Sequence, residues 1–140
     1  TLPGTGLLIQ QADCQAVLLS APRSGLIAAI HCGWRGSVIG IIGKTIRCLQ
    51  EKYNVAPGSL LAAISPSLGP CCAEFIHFRK ELPAWMHEYQ VRPHYFDFLA
   101  ISRRQLLDAG VLPAHIDVAG LCTCCNPQFF SYRRATKTTK

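Results

Sequence analysis

Leu26-Ile27-Ala28-Ala29-Ile30-His31 runs directly into Cys32-Gly33-Trp34-Arg35-Gly36-Ser37, a strand-like run passing through a glycine-flanked loop toward a helix. The first six residues are an apolar run of strand length, and the glycine-flanked loop that follows ends at Ser37, a residue able to cap a helix. From there Ile39, Ile42, Ile46, Leu49 and Tyr53 recur at steps of three and four, which predicts a helix with one apolar face from Ser37 to about Tyr53. Asn54-Val55-Ala56-Pro57-Gly58 ends it.

Upstream, Ala16–Ser20 reads as a second strand, joined to the first through the turn Ala21-Pro22-Arg23-Ser24-Gly25, and Leu7–Gln11 as a third. The hairpin sets Ala12-Asp13-Cys14, whose cysteine lies seventeen residues before His31, at its open end. Two neighbouring strands thus deliver a thiol and an imidazole together, whether both hold a metal or one activates the other. Downstream, Leu60–Ile64 reads as a short buried strand, followed by the loop Ser65-Pro66-Ser67-Leu68-Gly69-Pro70 into Cys71-Cys72. Helices are expected at about His77–Tyr89 and Ile101–Ala109, strands at Ile116–Ala119 and Phe129–Arg133, and a frayed polar end over Ala135–Lys140. Strands and helices mix without a βαβ rhythm, so the fold class is α+β, in a single domain over residues 1–140.

With 49% apolar and only 16% charged residues, 140 residues suffice for a sizeable core. No charged-then-apolar leader and no bilayer-length apolar run are present, so the expectation is a soluble, cytoplasmic protein without membrane contact. Eight cysteines in a chain with this much core read as free thiols in a reducing compartment rather than as disulfide staples. The net charge of +6 comes from scattered basic residues with no long run and no aromatic-studded motif. No nucleic-acid partner is expected; a solvated face and a few anion-binding arginines account for the charge.

Cys14 and His31 suit zinc, or copper, although a catalytic zinc takes three protein ligands and two alone would hold it weakly. Taken singly, Cys14 also reads as a small buried hydrophobe and His31 as a satisfied core histidine. Arg35, in a loop ahead of a helix N-terminus, is placed to bind phosphate, or else stacks on Trp34 as packing. Arg133 is a second anion candidate with Ser131 close by, and Arg134 should face solvent. Asp13 and Glu74 are candidate proton carriers, with structural hydrogen bonding as the other reading. Cys122 and Cys125 form a C-x-x-C that Cys71-Cys72 could complete as a tetrathiolate, but adjacent cysteines are poor ligand pairs and buried structural thiols are the favoured reading. A blue-copper oxidase with a three-copper cluster uses about ten histidines, whereas this chain has five and no H-x-H pair.

Ala12-Asp13-Cys14, His31-x-Gly33-Trp34-Arg35-Gly36, Gly69-Pro70-Cys71-Cys72-x-Glu74 and Cys122-Thr123 followed by Phe130-Ser131-Tyr132-Arg133-Arg134 occur in the order of the YfiH-like family, which this chain resembles over essentially its whole length. Its members were first named multicopper polyphenol oxidoreductases or laccases and later purine nucleoside phosphorylases. The resemblance implies a mixed, layered α/β sandwich of the CNF-toxin, cysteine-hydrolase type. It implies a zinc site at Cys14 and His31, the third family ligand being a histidine upstream of Thr1-Leu2-Pro3-Gly4, so that the chain is expected to begin inside the family domain. The family's closing Gly-Arg pair and last strand are likewise missing after Arg134.

The implied activity is phosphorolysis of adenosine, inosine, guanosine and methylthioadenosine, with adenosine deamination as a second activity. Purine nucleoside and phosphate would be the partners, and Cys14, His31, Arg35 and Asp13 the candidate catalytic residues. Arg35, Arg133 and Ser131 would be the candidate phosphate and substrate ligands. Two alternatives follow: a cysteine hydrolase editing peptidoglycan precursors, with Cys14 as nucleophile and His31 as base, or a catalytically incomplete fragment. A shortened domain also leaves open sheet surface, from which a homo-oligomer is expected. Cys32 stands where the family commonly has alanine, and strand alternation points it away from the His31 face.

Overall fold

The computed structural model describes residues 2–138. The strands are β1 (Gln15–Ala21), β2 (Leu26–Cys32), β3 (Leu61–Ile64), β4 (Gln90–Arg92), β5 (Tyr95–Phe96) and β6 (Ile116–Val118). The α-helices are α1 (Trp34–Val38), α2 (Ile41–Tyr53), α3 (Phe78–Glu81), α4 (Phe98–Asp108) and α5 (Tyr132–Thr138). Four strands form one sheet in the order β2-β1-β3-β6, and β4 and β5 pair separately. β1 runs antiparallel to both β2 and β3, and β3 parallel to β6. The architecture is α+β, as the mixed pattern implies.

Register follows from burial. Val17 opposes Ile30 and Ile64, and Leu19 opposes Ala28 and Ala62; these residues share the face that packs against Ile42, Ile46 and Leu49 of α2 and Leu106 of α4. A one-residue slip would turn this set to solvent. The other face carries Leu18, Ile27 and Leu61, each about half exposed (50%, 50% and 45%). A second cluster, Ala73, Leu82, Met86, Phe96, Phe98 and Ile101, packs with Trp34, Phe75 and Phe78 at the end of the sheet where β1 starts and β2 finishes.

Several sequence expectations shift. The helix after β2 is not capped by Ser37; it starts at Trp34 with Gly33 as cap, breaks where Gly40 adopts φ +67°, and resumes at Ile41. A left-handed residue cannot continue a helix, which is why glycine stands there. Ile39 and Tyr53 consequently lie outside the buried stripe, at 56% and 46% exposure. The expected helix over His77–Tyr89 is split into α3 and a 3-10 segment, Ala84–Tyr89, because Pro83 lacks an N–H and holds Leu82 extended. α4 starts earlier than periodicity suggests, since Asp97 Oδ1 accepts from Ala100 N at 2.9 Å and caps it.

Leu7–Gln11 forms no strand: Leu8 is 94% exposed, and the segment is tethered instead by Gln11 Nε2 donating to Ser65 Oγ (2.8 Å) and the Pro66 carbonyl (3.2 Å). Phe129–Arg133 is not a strand either. Ser131 caps α5, its Oγ accepting from Arg134 N at 3.1 Å and its carbonyl from Ala135 N. Ala135–Thr138, expected to fray, are the body of that helix, and Thr139 and Lys140 lie outside the described residues.

Candidate functional site

Cys14 sits just before β1, beside a residue with left-handed backbone, Asp13 (φ +79°), and lines a cleft of about 580 Å³. This is within the range of small-molecule sites, roughly 300–1,000 Å³. Trp34, Phe75, Phe98 and Tyr132 supply aromatic walls, and Asp13, Glu74, His77, Glu81 and Arg133 supply polar groups. Trp34 meets Phe75 edge-on at 5.8 Å, and Phe75 lies 5.0 Å from Phe98. Gly33 is needed here: a Cβ at that position would stand 3.0 Å from Cys14 Sγ, so any side chain would push the thiol away.

Asp13 joins three segments. Its Oδ1 accepts from Thr123 Oγ1 at 2.7 Å, its Oδ2 from Arg133 N at 2.6 Å, and its carbonyl from Leu68 N at 2.9 Å. Both carboxylate oxygens are thereby engaged, tying the segment before β1 to Thr123 and to the start of α5, a positioning task. Arg133 donates from Nη2 to the Glu74 carbonyl at 3.2 Å and lines the cleft. Ser131 is spent on capping α5 and is absent from the lining. Arg134 is not solvated as expected: its guanidinium gathers the carbonyls of Thr123, Cys124, Asn126 and Phe129.

His31 lies exposed on β2 opposite Ala16, whereas Cys32, opposite Gln15, is buried on the other face. The register therefore separates the two adjacent residues as alternation requires. Among the described residues no hydrogen bond links His31 to Cys14, and His31 is not part of the cleft lining. Arg35 belongs to α1 rather than to a loop ahead of it. Its guanidinium stacks 4.4 Å from the centre of the Trp34 ring, and it too stands outside the lining. Burial, and then the nearby Asp13 charge, push the Cys14 thiol above its ordinary value; burial does the same for Cys32 against the opposing hydroxyls of Ser37 and Ser102.

A sulfur and an imidazole nitrogen are suitable zinc or copper donors. The set is nevertheless short: among the described residues, three or more ligating side chains converge only at Cys71, Cys72, Cys122 and Cys125.

Sequence reasoning missed Gln15 and Ser67. Both line the cleft and are 3% and 1% exposed, yet Gln15 Nε2 and Ser67 Oγ have no hydrogen-bond partner among the described residues; Gln15 Oε1 is taken by the Ser102 hydroxyl. The available signal was a glutamine at a core-facing position beside an apolar strand. Buried polar groups without a partner cost roughly 1–3 kcal/mol each.

Residues 1–139 match the family model described as multi-copper polyphenol oxidoreductase laccase. The purine nucleoside phosphorylase YlmD of Geobacillus stearothermophilus is 35% identical, over 97% of this chain and 53% of that protein. A purine nucleoside phosphorylase of Bacteroides thetaiotaomicron is 32% identical, over 94% of this chain and 53% of its own length. The crystal structure of YlmD superposes with a TM-score of 0.78 at 35% identity, covering 90% of this chain and 50% of that one. That of the Bacillus licheniformis hypothetical protein YfiH gives 0.80 at 27% identity, covering 90% and 51%. The chain spans about half the length of the curated relatives it matches. Carrying the cleft-forming motifs in order on the same α+β scaffold, the chain belongs to the YfiH-like family of multi-copper polyphenol oxidoreductase laccase domains.

Proposed function

We propose that the cleft at Cys14 is the nucleoside site of a purine nucleoside phosphorylase-type enzyme, with adenosine, inosine, guanosine and methylthioadenosine as substrates and adenosine deamination as a second activity. The observation that carries this reading is the pairing of aromatic walls with two buried, open polar groups, Gln15 Nε2 and Ser67 Oγ, in one cleft. A purine is flat, apolar on its faces and ringed by donors and acceptors, and a site of this composition suits it. Of Trp34 and Phe75, which meet edge-on, one would stack on the base and the other abut its rim, and Gln15 and Ser67 would read its polar edge.

In phosphorolysis the bond from ribose C1′ to the base nitrogen breaks, a bond from C1′ to a phosphate oxygen forms, and the base leaves with the electron pair and takes up a proton. The Arg133 guanidinium lines the cleft, donates to the Glu74 carbonyl among the described residues, and would hold phosphate. Glu74 would carry the proton, since the Asp13 oxygens are already engaged. Cys14 and His31 would be the zinc or copper ligands of the same reading; a metal held there would act as a Lewis acid, and it would need a third donor that none of the described residues brings to the pair. The cysteine-hydrolase alternative gains no support from a thiol whose ionisation burial opposes. None of the described helices is long and apolar enough to cross a membrane, and the free thiols favour a cytoplasmic setting.

The test is adenine release from adenosine by the full chain with and without inorganic phosphate, with inosine followed as the deamination product. Phosphate-dependent release that Arg133→Ala and Cys14→Ala each reduce at least about tenfold supports the assignment. No phosphate-dependent release from any of the four nucleosides overturns it.

A further inference from the structure

Four cysteines outside the cleft converge on one point. The Sγ atoms of Cys71, Cys72, Cys122 and Cys125 all lie within 4.8 Å of one another, with Cys125 Sγ 3.5 Å from both Cys71 and Cys72. Sulfurs held about 2.3 Å from a tetrahedral zinc stand about 3.8 Å apart, whereas a disulfide requires about 2.05 Å. These separations bracket the edge of a metal tetrahedron and are too long for a disulfide. The two halves come from distant loops, one following β3 and one leading into α5.

The surrounding backbone is built for such a centre. Gly69 N donates to Cys122 Sγ at 3.3 Å, a bond that favours a thiolate. A Cβ at Gly69 would stand 2.9 Å from Cys122 Cβ and 3.4 Å from Cys71 Sγ, so only glycine lets the loops approach this closely. The turn in which Cys72 N and Ala73 N both reach the Gly69 carbonyl swings the adjacent Cys71 and Cys72 toward the same neighbour, which removes the objection to consecutive ligands. Two cations grip the loop carbonyls: Arg92 Nη2 the Cys71 carbonyl at 2.8 Å, and Arg134 Nη1 those of Thr123 and Cys124 at 2.7 and 3.1 Å. A zinc ion with four thiolates carries a net negative charge, and guanidinium groups beside it offset that charge.

We propose that Cys71, Cys72, Cys122 and Cys125 form a structural zinc site, separate from the cleft, that locks the loop after β3 onto the loop before α5. Binding exchanges thiol protons for one divalent ion and changes no oxidation state. The clamp carries Ala73 and Glu74 on one side and Thr123 on the other, so it holds in place the Asp13 and Arg133 contacts that shape the cleft.

The experiment is metal analysis of the full chain purified under reducing conditions, followed by replacement of zinc with cobalt. The expectation is about one zinc per chain at this site, retained in Cys14→Ala and in Cys124→Ser, and reduced about tenfold or more in Cys71→Ser and Cys125→Ser. The cobalt form should show the strong thiolate-to-metal absorption of an all-sulfur tetrahedral site. Because a serine variant could fail to fold, alkylation of the unsubstituted chain with and without added zinc is mapped by mass spectrometry as well. Protection of all four cysteines, with Cys124 still reactive, supports the site. Full reactivity of the four thiols in the presence of zinc, a disulfide from Cys125 to Cys71 or Cys72 in the reduced preparation, or zinc retained in both serine variants overturns it.

Discussion

Replacing Asp13 separates a positioning carboxylate from a reacting one. The residue sits at φ +79°, a region that asparagine and aspartate tolerate better than other side chains, so Asp13→Asn leaves the backbone preference intact. Turned with its oxygen toward Arg133 N, the carboxamide can donate from its NH2 to Thr123 Oγ1, whose hydroxyl rotates to accept. Both contacts survive, but each changes from a charged hydrogen bond, about 1.5–3 kcal/mol, to a neutral one, about 0.5–1.5 kcal/mol. The expected loss of stability is about 2 kcal/mol.

Asp13→Ala removes both acceptors, leaves the Thr123 hydroxyl open at 4% exposure, and adds about 1–2 kcal/mol for a left-handed alanine. Its expected loss is about 5 kcal/mol. Urea unfolding followed by the fluorescence of Trp34 and Trp85 measures both variants. An alanine variant no worse than the asparagine one, or both within about 1 kcal/mol of the parent, refutes the reasoning. In the same preparations the folded Asp13→Asn protein should keep phosphorolysis within about threefold of the parent, whereas collapse of turnover in a folded variant would place Asp13 in the chemistry.

Ser67→Ala should leave the free protein as stable as before or up to about 1 kcal/mol more so, because it deletes an open buried hydroxyl; calorimetry shows this, together with weaker nucleoside binding. In metal-stripped protein near neutral pH, Cys122 should alkylate before Cys14 and Cys71. Burial tends to raise the Cys122 thiol, but donors from Cys125 and Gly69 bring it down to about 7, while burial first and then hydrogen bonds from Cys125 and Cys122 hold Cys71 up at about 11. The lower value gives more thiolate at a given pH, and peptide mapping of a short alkylation reads the order directly. The open sheet face at Leu18, Ile27 and Leu61 should drive self-association. A light-scattering concentration series should exceed the 15.3 kDa of one chain and return to it in the Leu18→Lys, Ile27→Lys double variant, and a monomer at every concentration would refute this.

The hairpin, the buried stripe of α2 and the strands β3 and β6 were legible in the residues alone. Their signals are local: apolar runs bounded by Pro and Gly, and Ile42, Ile46 and Leu49 at helical spacing. The four ordered motifs likewise sufficed for the family. Features that depend on long-range partners emerged from packing alone. Leu7–Gln11 has strand composition but forms no strand ladder, and a strand exists only with a partner to bond. The turn from Ser131 into α5 was hidden because its cap and the Asp13 carboxylate that receives it lie 118 residues apart in a chain of 140. Cys71-Cys72 looked unsuitable as ligands until the fold brought Cys122 and Cys125 to them. Which thiol is low, which arginine lines the cleft and which buried amide is left without a partner among the described residues are properties of groups facing one another, and that facing is created by packing.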